Sequence, residues 1–211
     1  MSKLIDAKIE GKSRVFFIKG DRTAIVDTGV PGNERNILRA LRTAGIPQDQ
    51  VSVLVITHAH WDHCGSAASL KKALSIPLLA GWPDADYFEK GENTPIQGYA
   101  HDAGRAIAPK ATWEGLKVDV VAKEDMRLDA LGIDAAVLTT PGHTEGSLSV
   151  LTGNGDCATG DFLSSLYSED AAMIRNSLKK LADGGAKRFF PSHGGDIVAK
   201  NLFDEFLSDS P

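Results

Sequence analysis

The sequence predicts an α/β protein in which strands and helices build two related layers, and three observations predict it. Short alternating or β-branched runs recur along the chain, bounded by glycine-containing turns. Between them lie segments whose apolar residues fall at helical spacing. Each half of the chain then runs strands, helix, strand, although no repeat is strong enough to establish duplication.

Taken in order, residues 4–9, 14–18 and 23–26 read as opening strands, with Gly11 and the Gly20-Asp21 pair as turns. Residues 33–43 carry Ile37, Leu38 and Leu41 at helical spacing, and Gly45 is placed to end that helix. The run Val51-Ser-Val-Leu-Val-Ile56 is continuous enough for a strand buried on both faces. A second helix is expected over 66–74 and a strand over 76–79. Residues 83–116, rich in Gly, Pro and polar residues, form an excursion with short helices near 84–89 and 102–107. An excursion of that length beside strand ends is a candidate lid. Strands resume at 118–121, 135–138, 148–151 and 157–158, the last two flanking an Asn-Gly hairpin signal at Gly153-Asn154-Gly155. A helix over 169–181, a strand over 188–190 and a helix over 201–207 complete the chain.

At 211 residues, with 42% apolar and 24% charged residues, the whole chain fits one domain, residues 1–211. A net charge of -5 argues against a nucleic-acid partner. No apolar stretch suits a signal peptide or a membrane span, so no membrane partner is expected. The two cysteines, Cys64 and Cys157, form no Cys-x-x-Cys pair, and a reduced cytoplasmic setting is the simplest expectation.

Chemistry concentrates at the histidines. Three of the six fall in Thr57-His58-Ala59-His60-Trp61-Asp62-His63, directly after the buried strand. His143 lies in Thr140-Pro-Gly-His-Thr-Glu-Gly146, Asp161 follows Gly160, and His193 lies in Pro191-Ser-His-Gly-Gly195. Each stands at a strand end on a glycine-bounded loop, where a rigid scaffold presents functional groups. His58 and His60 are spaced to address one metal ion, with Asp62 and His63 turned toward a neighbouring one. Imidazole and carboxylate suit zinc, and the same set can hold iron or manganese. Five histidines and two acids gathered at strand ends argue against isolated helix caps or satisfied core groups.

The pattern His58-x-His60-x-Asp62-His63, followed by His143, Asp161 and His193, resembles the metallo-β-lactamase superfamily. The likeness runs from Asp27-Thr28-Gly29 to His193. It implies a four-layer αββα sandwich with two divalent ions, zinc in the first instance, at one edge. His58, His60 and His143 would bind the first ion, and Asp62, His63 and His193 the second, with Asp161 bridging. The resemblance also implies hydrolysis by a metal-bridging hydroxide, with Asp62 exchanging protons during the reaction. Residues 141–147 and the aspartate at 161 look more like glyoxalase-II-type and lactonase-type hydrolases than true β-lactamases. The expected substrate is therefore a small thioester, lactone or other ester. A 211-residue chain leaves no room for the helical C-terminal domain of glyoxalase II, so a glutathione thioester is not expected. The alternatives are a mononuclear-iron persulfide dioxygenase and, further off, a phosphodiesterase or nuclease. Oligomeric state is open.

Around this set, Asp27 is either an orienting partner of a ligand histidine or a turn-forming residue. Cys64 and Cys157 read as packed residues, and His101, beside Tyr99 and Asp102, as an exposed loop residue. Trp61, Trp82, Phe162 and Tyr167 are candidates for an apolar substrate wall or for the core.

Overall fold

The computed structural model describes residues 1–9, 11–95, 113–165 and 171–207. Two sheets pack face to face. The first contains β1 (Lys3–Asp6), β2 (Phe16–Lys19), β3 (Thr23–Val26), β4 (Val51–Ile56), β5 (Leu78–Gly81) and β6 (Val120–Ala122), hydrogen-bonded in that order. The second contains β7 (Met126–Arg127), β8 (Ala135–Thr139), β9 (Leu148–Thr152), β10 (Asp156–Gly160), β11 (Arg188–Pro191) and β12 (Ile197–Val198), again neighbour to neighbour. The described helices are α1 (Glu34–Thr43), α2 (Trp61–Cys64), α3 (Ala67–Leu74), α4 (Asp84–Lys90), α5 (Ala171–Asp183) and α6 (Ala199–Phe206).

The layering follows from strands that are apolar on both faces. In β2, β3 and β4 the residues Phe16, Ile18, Ala24, Val26, Val53 and Val55 point into the space between the sheets. They meet Val137, Val150, Ala158 and Phe190 of the second sheet. The alternate residues Phe17, Ile25, Leu54 and Ile56 face outward onto Ile37 and Leu41 of α1, Leu70 of α3 and Phe88 of α4. On the other side, Leu151, Cys157 and Phe189 pack against Leu178 and Leu181 of α5 and Ala199 of α6. Three apolar layers thus separate four structural layers, helix–sheet–sheet–helix. Each fully buried leucine- or isoleucine-sized side chain in them contributes about 1.5–3 kcal/mol of transfer free energy.

Most expected elements are present, with informative shifts. β1 stops at Asp6 because the Asp6 carboxylate accepts from the Lys8 amide at 2.8 Å and Lys8 turns left-handed at φ 53°. Helix α1 ends where anticipated, on Gly45 at φ 63°. β5 begins two residues later than the apolar run suggests, since Pro77 donates no ladder hydrogen bond. The two-residue strands β7 and β12 and the four-residue helix α2 are too short to leave a periodic signal. The anticipated helix near 102–107, with Tyr99, His101 and Asp102, lies outside the described residues, as do half of the candidate lid (96–112) and Tyr167.

Strand direction brings the chemistry to one edge. β3, β4 and β5 run parallel, so their C-terminal ends lie together. The β8–β9 turn and the ends of β10 and β11 reach the same edge, because β9 is antiparallel to both β8 and β10 while β10 and β11 are parallel. The Leu148 amide donates to the Thr57 carbonyl at 2.8 Å and ties the two sheets there.

Candidate metal centre

Seven side chains anticipated from sequence come together at this edge. Ligand atoms lie within 4.8 Å of one another in three groups: His58, His60 and His143; His58, His63 and Asp161; and Asp62, His63 and His193.

In the first group the surroundings set the tautomers of His60 and His58. His60 Nε2 sits 2.8 Å from the Thr94 carbonyl oxygen, which only accepts, so Nε2 carries the proton and Nδ1 a lone pair. The Thr57 hydroxyl donates to the Asp27 carboxylate at 2.8 Å, so it accepts from His58 Nδ1 at 3.1 Å and leaves a lone pair on His58 Nε2. His58 Nε2 and His60 Nδ1 are only 3.0 Å apart, and His143 Nε2 lies 3.3 Å from the same His60 nitrogen. Burial keeps these rings neutral: it pushes His58 well below the ordinary histidine value, lowers His60, and takes His143 down to about 3. Facing lone pairs repel. A divalent cation between them removes that repulsion, and three neutral imidazoles are a donor set that suits zinc.

The second group is charged. His63 Nδ1 is held 2.9 Å from Asp27 Oδ2, while its buried Nε2 has no hydrogen-bond partner among the described residues. That nitrogen points toward Asp161 Oδ2 at 3.4 Å and Asp62 Oδ2 at 3.9 Å. His193 Nε2 lies 3.4 Å from both carboxylates. Burial alone would depress His63, but Asp161 and Asp27 outweigh it and hold the ring well above its usual value. Hydrogen bonds to Asp161 and Asp62 push His193 up to about 9. Burial would raise both carboxylates, yet His63 and His193 hold Asp161, and His193 holds Asp62, below the usual range. Asp161 Oδ2 is central to everything: it lies 3.9 Å from His58, 3.4 Å from His63, 3.6 Å from His143 and 3.4 Å from His193.

The backbone holds these groups by close approach. Gly160, at φ 54°, brings the residue before Asp161 against Thr57, where a Cβ would fall 2.6 Å from the Thr57 hydroxyl. The two readings of Asp27 resolve in favour of orientation. It is fully buried at φ 60°, accepts from the Thr57 amide at 2.8 Å, and reaches both His63 and the Thr57 hydroxyl. The next residue, Thr28, donates its amide to the His63 carbonyl at 2.6 Å. Cys64 is packed, and its thiol donates to the His60 carbonyl, with burial pushing its pKa up. Phe162 and Cys157 belong to the core outside the second sheet. Trp61 packs against the helix side of the first sheet, whereas Trp82 is 51% exposed.

Sequence reasoning missed four supporting residues. Thr94 and Asn93 lie in the excursion and hold His60 and the Trp61 amide. Ser13 donates to the Asp62 carbonyl, and Asp84 accepts from the Ala59 amide at 2.9 Å. An isolated serine or aspartate in a turn carries no periodic or motif signal that would reveal such a role.

A helix–sheet–sheet–helix sandwich with histidines and carboxylates converging at one edge defines a class of proteins with a site suited to metal. The family model of the metallo-beta-lactamase superfamily matches residues 10–193. The chain belongs to that superfamily, whose members are largely metal-dependent hydrolases. A probable metallo-hydrolase of Methanocaldococcus jannaschii is 22% identical over 208 residues, covering 92% of this chain and 95% of its own. A hydroxyacylglutathione hydrolase of Xanthomonas axonopodis is 28% identical over 166 residues, covering 76% of this chain and 51% of its own, so the match spans about half of that enzyme. Among solved structures, a motif mutant of a Cronobacter sakazakii metallo-beta-lactamase aligns with a TM-score of 0.68 at 18% identity, over 92% of this chain and 77% of that one. The subclass B3 metallo-beta-lactamase of Bradyrhizobium japonicum aligns at 0.65 and 20% identity, over 92% and 75%. At such identities the structures speak to the fold alone. No helix among the described residues is long and apolar enough to cross a membrane.

Proposed function

We propose that the chain is a binuclear metal-dependent hydrolase of small thioesters, lactones or other esters. The observation that carries this reading is the convergence of four histidines, His58, His63, His143 and His193, on Asp161 Oδ2, with His60 and Asp62 completing the groups on either side. His58, His60 and His143 would hold one ion, Asp62, His63 and His193 the other, and Asp161 would serve both. Zinc suits the three neutral imidazoles best, and iron or manganese fits the oxygen-richer group. When bound, such ions lower the pKa of a water toward neutrality and polarise a substrate carbonyl.

The protein's own residues supply the rest. Asp27 orients the His63 ring directly and the His58 ring through Thr57. Asp62, whose Oδ2 lies 3.4 Å from His193 Nε2 and whose side chain is partly open to solvent, would take a proton from the attacking water and return it to the leaving group. The likeness to hydroxyacylglutathione hydrolase favours acyl substrates, in particular thioesters. Two buried free cysteines suit a cytoplasmic setting.

Elemental analysis of protein purified without added metal, followed by a panel of thioesters, lactones and simple esters, tests the reading. Two ions per chain are expected, with hydrolysis of a panel member that is lost on chelation and restored on reloading. Failure to bind metal after reconstitution sinks the proposal. One tightly held iron with oxygen uptake on a persulfide would replace it with the dioxygenase.

A further inference from the structure

We propose that Asp84 is a positioning residue for the three-histidine group, acting by clamping together the two loops that carry it. The inference rests on the metal-centre reading above. Asp84 begins α4, directly beyond β5, and is 1% exposed. Its Oδ2 accepts from the Ala59 amide at 2.9 Å and from the Thr144 hydroxyl at 2.9 Å, and its Oδ1 accepts from the Gly146 amide at 2.9 Å. Ala59 is the residue between His58 and His60, and Thr144 is the residue after His143. A carboxylate from one element thus fixes the spacing between histidines that arrive from two different sheets.

The geometry leaves little slack. A Cβ on Gly146 would fall 2.5 Å from Asp84 Oδ1, and one on Gly81 would fall 2.1 Å from the Gly146 carbonyl oxygen. Since the Thr144 hydroxyl donates to Asp84, it accepts from Ser147 at 2.7 Å, and Ser147 in turn accepts from the Thr144 amide at 3.0 Å. The His143 loop is therefore closed on itself and anchored at one point. Only a carboxylate satisfies this anchor. Donors approach both oxygens, and an amide at position 84 would turn an NH2 toward either the Gly146 amide or the Ala59–Thr144 pair. A buried charge with only neutral donors around it is expensive to keep, which fits a role in fixing geometry. Asp27 orients rings; Asp84 sets the distance between loops.

The test compares Asp84→Asn with wild type by stepwise zinc titration against a competing chelator, and by the absorption spectrum of the cobalt-loaded protein. The three-histidine group should lose about 10–100-fold in affinity, as removal of supporting partners does elsewhere. The other group should change by less than about threefold on the same scale. The single-ion cobalt spectrum of Asp84→Asn should match that of His143→Ala and differ from that of His193→Ala. Thr144→Val, which removes one arm of the clamp, should weaken the same group by less, and it carries the test if Asp84→Asn does not fold. Equal losses at both groups in these variants would mean that Asp84 only stabilises the fold, and undiminished binding would mean that it does nothing; either overturns the inference. Wild type that binds no metal would overturn the metal-centre reading and this inference together. Wild type holding two ions while the variants keep both unaltered would overturn only the clamp.

Discussion

The two ligand groups share one edge of the sandwich but are built on opposite principles. His58, His60 and His143 are buried, neutral and held by neutral partners: a backbone carbonyl for His60 and a threonine hydroxyl for His58. Asp62, His63 and His193 sit among carboxylates, and the His193 side chain is 44% exposed. In the first group, His58 and His60 face each other with lone pairs 3.0 Å apart and repel without a cation. The second already neutralises itself by proton sharing between histidine and carboxylate. One site is thus a rigid socket and the other a proton-loaded mouth, and Asp161 faces both.

Removing a ligand from each side should have the largest effect. His143→Ala and His193→Ala are each expected to take the metal content from two ions to one, and to lower kcat/KM by more than about a hundredfold, beyond the usual effect of a supporting residue. Elemental analysis and steady-state kinetics read this out. Full activity in either single-ion variant would show that the reaction needs only one socket. Asp27→Asn should have a smaller effect that separates the groups. Asp27 meets His63 directly at 2.9 Å but reaches His58 only through Thr57. Chelator competition should therefore show about 10–100-fold weaker binding at the second group and a lesser loss at the first. The reverse order would mean that Thr57, rather than the His63 contact, transmits the influence of Asp27.

How far the molecule could be read beforehand differs between these layers of description. β3 and β4 were legible residue by residue, because strands buried on both faces spell continuous apolar runs. The candidate ligands stood out because His58, His60, Asp62 and His63 follow such a strand at close spacing, and His143, Asp161 and His193 stand on glycine-bounded loops at other strand ends. The positions of Asp84 and Thr94 were not. Their roles arise from donors brought in by other segments, the Ala59 and Gly146 amides for one and the His60 ring for the other. Such partnerships join residues remote in sequence and leave no local pattern. Phe162 shows the converse: an aromatic beside Asp161 invites a place in the substrate wall, yet it fills the core beneath α5. Sequence position beside a ligand says little about which face a side chain takes once a short helical turn intervenes.

A further expected effect comes from pH, and it bears most directly on the contrast between socket and mouth. A metal ligand must be deprotonated, so ion uptake releases whatever protons the site holds. His143, at about 3, is neutral at pH 7 and has none to release. His193, raised to about 9 from 6.5, is protonated there, and His63 is shifted in the same direction. Affinity at the second group should therefore rise by about tenfold per pH unit for each proton displaced, levelling off near pH 9, while affinity at the first stays flat. The metal-free protein should show the opposite trend in stability. A histidine with a raised folded-state pKa stabilises the fold fully below its unfolded value of 6.5, and that contribution is lost as pH climbs through about 9. Titration calorimetry in buffers of differing ionisation enthalpy counts the protons released with each ion. Proton release with the second equivalent alone would sustain the contrast; equal release with both would mean that the first group, too, is proton-loaded before metal arrives.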